Sequence, residues 1–307
     1  MRARRACMLL AGLVAALAGA SATADGSGAE LASYYDRHMA LVNGAAHGWI
    51  GTGTPRRMRA GVLQVGVAKD AYLALLEDGA LVAWTDAPGG AANPTTLMRG
   101  VAGFAAGHSG WFAIDRVAAL WHGSDFAGAT PPRRVAQGVQ AASIGDGADY
   151  YIGSDGTLFV RGLAQRGQYG DGLLTASPGF VATAGEAVAV KAHTGHALHL
   201  RRDGVVMGTG GNRFGPLSAH GLGDKADRWG RVFHRARAIA TGSRHSVAIR
   251  DDGTLWGWGD GFGIAPRKLL DGVVAAAAGD SATIALTANG ALWQWDRGGA
   301  PRRLALP

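Results

Sequence analysis

Short apolar alternations, each broken by a polar pair and a glycine, return along most of this chain. The clearest are HSVAIRDDGTLWGWG at residues 245–259 and ATIALTANGALWQWD at 282–296, and YLALLEDGALVAWT at 72–85 keeps the same order. Alternation at period two over five or six positions predicts strands, and an Asp-Gly or Asn-Gly pair between two of them predicts a hairpin with a two-residue turn. The turn glycines are Gly44, Gly79, Gly156, Gly204, Gly253 and Gly290, with Ala118 in that place in FAIDRVAALWHG; the seven positions are 35, 39, 38, 48, 49 and 37 residues apart. Self-similarity at such a period marks a repeat architecture.

After each turn comes an apolar column of Leu81, Leu120, Leu158, Val206, Leu255 and Leu292, with Ala46 in the first copy. Tryptophan follows in four copies, at Trp49, Trp84, Trp258 and Trp295. Alternation sets Trp256 and Trp258 on one face and Leu255 on the other. Both faces are therefore apolar, which suits a small sheet packed between two like it. Ahead of the hairpins lie runs of small residues, VAGFAAG (101–107), VQAASIG (139–145), ARAIATG (236–242) and VVAAAAG (273–279). Small side chains fit a strand where several sheets converge on an axis. Each copy closes with a proline-led stretch, at Pro55, Pro94, Pro132, Pro178, Pro266 and Pro301. Proline lacks the ladder donor and belongs on an edge. Four strands per copy, seven times over, predict an all-β fold: a seven-bladed β-propeller over residues 25–307.

Small residues and glycine, then HSVAI, then DDGTLWGWG, then a glycine-rich stretch such as GQYGDG (167–172) and a proline-led strand: this order resembles the regulator of chromosome condensation repeat. The resemblance spans about residues 30–307 and implies a seven-bladed propeller. It does not imply nucleotide exchange, because one fold hosts many partners. Exported bacterial members of the resembled family include propellers that inhibit β-lactamases by covering the active site with one loop face. Tyr72, Trp111, Asp70 and Asp149 occupy comparable loop positions here.

Residues 1–24 follow another pattern. Arg2, Arg4 and Arg5 precede an apolar run from Met8 to Ala20, and Ala22-Thr23-Ala24 offers a cleavage site before Asp25. These are the three parts of a secretory signal peptide; the apolar run is short of the ~20 residues of a membrane-spanning helix. The expected product is periplasmic or extracellular, with no membrane span after processing, and monomeric. Processing removes three arginines, so Lys+Arg falls from 30 to 27 against 23 Asp+Glu, and the net charge from +7 to +4. That mild charge gives little support to nucleic-acid binding. Cys7, the only cysteine, departs with the signal, so no disulfide is expected.

The chemistry offered is sparse. His193, His196 and His199 are close in sequence, but alternation sends His196 and His199 to opposite faces and no Cys or nearby Glu completes a zinc set, so no metal is expected. Asp251-Asp252 belongs to a hairpin turn. GTGG at 208–211 opens no helix and fails as a phosphate loop. The expectation is no cofactor and no enzyme.

Variation concentrates in the loop after each small-residue strand, and in a propeller these loops share one face. Function tends to sit on such loops. The expected partner-binding residues are Asp36, Arg37, Lys69, Asp70, Tyr72, His108, Trp111, Asp146, Asp149, His196, Arg244, His245 and Asp280. They point to an exported scaffold that binds a macromolecule, foremost a protein, with enzyme inhibition as the narrower form. The different-class alternative is an exported propeller enzyme or a carbohydrate module. A polyanion or polysaccharide could use the basic outer edge at Arg56-Arg57, Arg133-Arg134, Arg267-Lys268 and Arg302-Arg303, though charged edges also block sheet-to-sheet aggregation. Longer insertions lie at 170–187 and 213–236, and the second, which holds Asp224, Lys225, Asp227, Arg228, Trp229 and Arg231, is expected as a lid or docking loop.

Overall fold

The computed structural model describes residues 28–85, 88, 93–218 and 223–307; the signal-peptide reading lies outside them. The described residues form 28 strands in seven antiparallel four-stranded sheets. In every sheet the strands follow sequence order from the axis outward. The innermost strands are Glu30–Tyr34, Val62–Val67, Val101–Gly107, Val139–Ile144, Ala187–Ala192, Ala236–Thr241 and Val273–Ala278. Each contacts its two neighbours around the ring, and Val273–Ala278 of blade 7 lies against Glu30–Tyr34 of blade 1. The fold is the expected seven-bladed propeller.

Crowding at the axis explains the small residues there. A Cβ on Gly66 would lie 2.5 Å from the Phe104 ring, and one on Gly107 would lie 2.6 Å from the Ile144 carbonyl oxygen. What remains open at the axis is a cavity of about 60 Å³. The larger apolar side chains lie between blades. Leu81, Leu120, Leu158, Val206, Leu255 and Leu292 are fully buried, as is Ala46. Trp258 of blade 6 stacks on Phe233 of blade 5 at 5.2 Å and donates from Nε1 to the Pro216 carbonyl oxygen at 2.7 Å. Leu255, on the opposite face, packs toward Val273 and Ala276 of blade 7. A tryptophan between blades buries a large area while its one polar atom is satisfied.

Among the described residues the ring closes without an exchanged strand. Blade 1 is built wholly from Glu30–Tyr34, Arg37–Val42, Ala45–Ile50 and Arg56–Ala60, and blade 7 ends in Arg302–Leu304. Across the seam Trp49 Nε1 donates to Gln294 Oε1 at 3.1 Å, and Gln294 Nε2 donates to the Gly51 carbonyl at 3.0 Å. Leu31, Trp49, Ile284, Leu292 and Leu304 share one apolar cluster.

Two expectations are corrected. Only blade 1 has a two-residue hairpin turn, at Asn43 and Gly44, both at positive φ (51° and 72°) between the paired Val42 and Ala45. The other blades use a wider turn. In blade 6 Gly253 N–H donates to Arg250 O and Arg250 N–H to Thr254 O, so three residues form the loop and the last of them, Gly253, sits at φ 79°. That geometry is a type I turn closed by a left-handed residue, which asks for glycine in the third place. Asp252 accepts from Thr254 N and Thr254 Oγ1, which explains its carboxylate as a turn device. The second correction concerns the insertions. Their distal halves are the outer strands Ser177–Ala184 and Lys225–Phe233. Trp229 on the latter donates to Thr183 Oγ1 of blade 4 at 3.1 Å, so this stretch braces two blades.

Ala118 holds the left-handed position of blade 3 at φ 61°. A side chain there costs roughly 1–2 kcal/mol, partly offset by the extra freedom glycine gives the unfolded chain, about 0.4–1 kcal/mol. Ala118→Gly is expected to raise the melting temperature by a few degrees; an unchanged or lower value would show that the turn carries no such strain.

Candidate functional site

The two ends of the propeller differ. One carries the narrow hairpin turns and the short links between blades. The other carries two loops per blade: that joining the first and second strands (35–36, 68–71, 108–109, 145–147, 193–195, 242–244 and 279–281), and the longer one before the outer strand. The latter includes 163–176 in blade 4. All seven inner loops share this face, as expected, and they are tied together. Asp280 N–H donates to Tyr35 O, Ser243 N–H to Gly279 O and Asp146 N–H to His193 O.

The strands begin earlier than the sequence suggests, and this divides the expected residues. Asp36, Lys69, Asp70 and Arg244 are exposed, and Arg37, His108, Asp146 and Asp280 are half-buried. Tyr72, Trp111, His196 and His245 are buried, and the Asp149 side chain is only 14% exposed. Tyr72 and Trp111, expected as accessible anchors outside the inter-blade core, belong to that core. Tyr72 opens its strand and Trp111 is second in its own, and both point between blades. Tyr72 Oη donates to the Trp49 carbonyl oxygen at 3.1 Å, and Trp111 Nε1 donates to the Asp125 carbonyl oxygen at 2.9 Å.

Strand register shows why. The column His38, Tyr72, Trp111, Asp149, Ala197, Ser246 and Thr283 pairs directly with Trp49, Trp84, Gly123, Arg161, Thr209, Trp258 and Trp295. In blades 3, 6 and 7 bulk on one strand is matched by its absence on the other, whereas blades 1 and 2 pair two rings. Trp111 occupies the space over Gly123, where a Cβ would come within 2.1 Å of its ring. Blade 4 replaces the aromatic member by an ion pair: Arg161 donates from Nε and Nη2 to Asp149 Oδ2 at 3.1 and 3.0 Å, with its guanidinium 4.8 Å over the Phe180 ring. Burial raises the Asp149 pKa and Arg161 opposes that rise. Removing one partner of such a pair leaves a buried charge uncompensated.

His196 and His245 bind across blades. His196 Nε2 is 3.1 Å from Ser246 Oγ, and His245 Nε2 is 2.9 Å from Thr283 Oγ1. The three neighbouring histidines diverge, with His193 stacked on Tyr34 across the axis at 4.4 Å and His199 edge-on to Trp229.

Two charged regions remain on the loop face. Around the channel mouth Asp36, Asp70, Asp146 and Asp280 surround Tyr35 and His108. Tyr35 Oη lies 3.5 Å from His108 Nδ1, and His108 Nε2 lies 3.9 Å from Asp146 Oδ1. Burial raises the pKa of Tyr35, and Asp146, Asp280 and Asp70 push it further the same way. Asp280 is raised mainly by burial, with Asp146 and Asp36 adding to it. Over blades 4–6 the sign reverses. A pocket of about 520 Å³ opens between Arg166, Arg213, Lys225 and Arg244, with Phe214 and Pro216 among its walls. Of these Arg244 was expected from the inner loops, Arg213 and Lys225 lie in the insertion expected as a docking loop, and Arg166 was not singled out. Below the mouth the axial cavity exposes Lys191, Tyr34 and His193 among small residues. Burial lowers Lys191 to about 7, with Glu30 opposing. Lys191 interrupts the apolar run AVAVKA and was legible as an anomaly. Among the described residues no helix is long and apolar enough to cross a membrane.

Residues 236–262, the inner three strands of blade 6, match the sequence model of the regulator of chromosome condensation (RCC1) repeat. Comparison with curated protein sequences finds no match. Among solved structures, Prp20p from Saccharomyces cerevisiae, described with its binding to Gsp1p and histones, is 17% identical with a TM-score of 0.68, over 81% of this chain and 80% of that one. Human WBSCR16 is 15% identical with a TM-score of 0.70, over 83% and 85%. A chain of the complex of Kap60 with yeast RCC1 (Prp20) is 16% identical with a TM-score of 0.56, over 90% and 74%. At these identities the likeness establishes the fold.

The buried histidines carry a pH dependence. Burial holds His38, His193 and His196 down to about 3, and His199 and His245 to about 4, against an ordinary 6.5. Below pH 6.5 the unfolded chain takes up protons that the folded chain does not. Stability is therefore full above that value and is lost as pH falls toward 4. Calorimetry is expected to show a falling melting temperature over this window, with a shallower slope in His196→Gln/His245→Gln; equal slopes would clear these two rings of the effect.

Proposed function

We propose that this propeller, which carries an RCC1 repeat in blade 6, is an exported scaffold that binds a protein partner through its loop face and is not an enzyme. The observation that carries the reading is the asymmetry of the two ends. All long loops, both charged regions and the exposed Phe214 fall on one end, while the other is narrow turns. A rigid ring holds these loops at fixed separations, which reduces the ordering cost of an extended contact. The similar propellers Prp20p and yeast RCC1 are described with protein partners, and this supports the same use here.

The axial cavity of about 60 Å³ is far smaller than sites that take a small-molecule substrate, which supports binding over catalysis at the axis. Enzyme inhibition is the narrower form of the proposal. With Tyr72 and Trp111 in the core, it rests on Asp36, Asp70 and Tyr35 at the channel mouth. A polyanion reading is favoured by one observation, the exposed Arg56, Arg57, Arg133 and Arg134 on the outer edge, where such charges also serve to keep edges apart.

A photo-crosslinking residue at Asp36 or Asp70 is expected to capture the partner, whereas one at Asp203 on the opposite end or Arg134 on the edge is not. Capture confined to Asp203 or Arg134 would sink the loop-face assignment. The export proposal predicts a processed chain beginning at Asp25 by N-terminal sequencing; protein retaining Met1 in the cytoplasm would refute it.

A further inference from the structure

The pocket over blades 4–6 belongs to the loop face but differs from the rest of it in sign and shape. Arg166 comes from the long loop of blade 4, Arg213 and Lys225 from the loop and outer strand of blade 5, and Arg244 from the inner loop of blade 6. Three segments far apart in sequence thus deliver four cations to one opening. Asp224 is the one carboxylate lining it. Among the described residues Arg166, Arg213 and Lys225 make no ion pair, and Arg244 reaches Asp260 only at 3.9 Å. Clustered like charges repel, and with one lining carboxylate against four cations they are held together at a cost that an anionic ligand would relieve.

The pocket also has an apolar wall. Phe214 is 42% exposed, a large aromatic left open beside the buried Pro216. The Arg244 guanidinium lies 4.4 Å over the Phe214 ring and that of Arg213 lies 5.9 Å from it. A guanidinium stacked on a ring keeps its in-plane N–H groups free, and these suit a carboxylate bound through two oxygens. A volume of about 520 Å³ exceeds the need of a single small anion and is within the range of sites that take several groups. The required ligand presents more than one carboxylate and an apolar side chain together.

We infer that this pocket receives an acidic peptide segment of a protein partner, with carboxylates against Arg166, Arg213, Lys225 and Arg244 and an apolar side chain against Phe214. The inference rests on the loop-face reading and assigns the chemistry of one contact within it. The acidic channel mouth gives the face the opposite sign nearby, so a partner bearing an acidic segment beside a basic patch has one favoured orientation.

The test uses a fluorescent pentapeptide with leucine flanked by two glutamates on each side, its glutamine counterpart, pentaglutamate and inorganic phosphate. Binding to the whole protein is followed by anisotropy at low and moderate salt. The leucine-containing acidic peptide is expected to saturate one site and to weaken as salt rises. Arg166→Gln/Arg213→Gln/Lys225→Gln should weaken it about tenfold or more, and Phe214→Ala should remove its advantage over pentaglutamate. These side chains are exposed, so melting temperatures should hold. Arg133→Gln/Arg134→Gln on the outer edge should leave binding intact.

Four outcomes would overturn the inference: no saturable binding, equal binding of the glutamine peptide, competition by phosphate at equal concentration, or equal loss in the edge variant. Crosslinking from Asp70 separates the two readings. If it persists while the peptide fails, the face stands and the pocket assignment falls; if both fail, both are wrong.

Discussion

Convergence of seven sheets on one axis is the constraint from which the rest of this structure follows. Near the axis there is little room for side-chain volume, so the innermost strands are rich in alanine, and Gly66 and Gly107 admit no Cβ at all. The apolar area that folding requires is moved outward into the gaps between blades. There both faces of every sheet are covered, and the residues that would be half-exposed in an ordinary antiparallel sheet become core. The Leu81–Leu292 column and Trp258 are products of that displacement.

Within each gap the register of the second and third strands decides what fits. Trp111 needs Gly123, His38 meets Trp49, and Asp149 meets Arg161 in a pair that is tolerated because the guanidinium is also covered by Phe180. A change at one position is met twelve or so residues away. This local complementarity lets blades differ in chemistry while their backbones superpose in pattern, and it leaves the loops beyond them free to vary.

The strands, their order and the seven-fold count were legible because the signals are local: alternation, a turn glycine, a proline-led edge. The burial of Tyr72, Trp111, His196 and His245 was not. Each stands one residue from a variable loop in the sequence, and only the pairing with Trp84, Gly123 and the hydroxyls of the following blade shows that its strand has already begun. Asp36, Asp70, Asp146 and Asp280 were readable as loop residues, because nothing across the strand claims them. The basic pocket was hidden for a different reason. Arg166, Arg213 and Arg244 lie in three repeats, and Phe214 and Lys225 are in an insertion with no counterpart to align; their meeting is a property of the ring.

Among the described residues no strand is shared between blades 1 and 7, so at the level of the sheets the seam is built like every other inter-blade gap, with the Trp49–Gln294 pair added across it. Each blade is then a complete four-stranded ladder, and neighbouring blades are joined by side-chain packing and single backbone hydrogen bonds such as Val273 N–H to Gly253 O. Cutting the chain at a different gap and joining the present ends would break no backbone ladder.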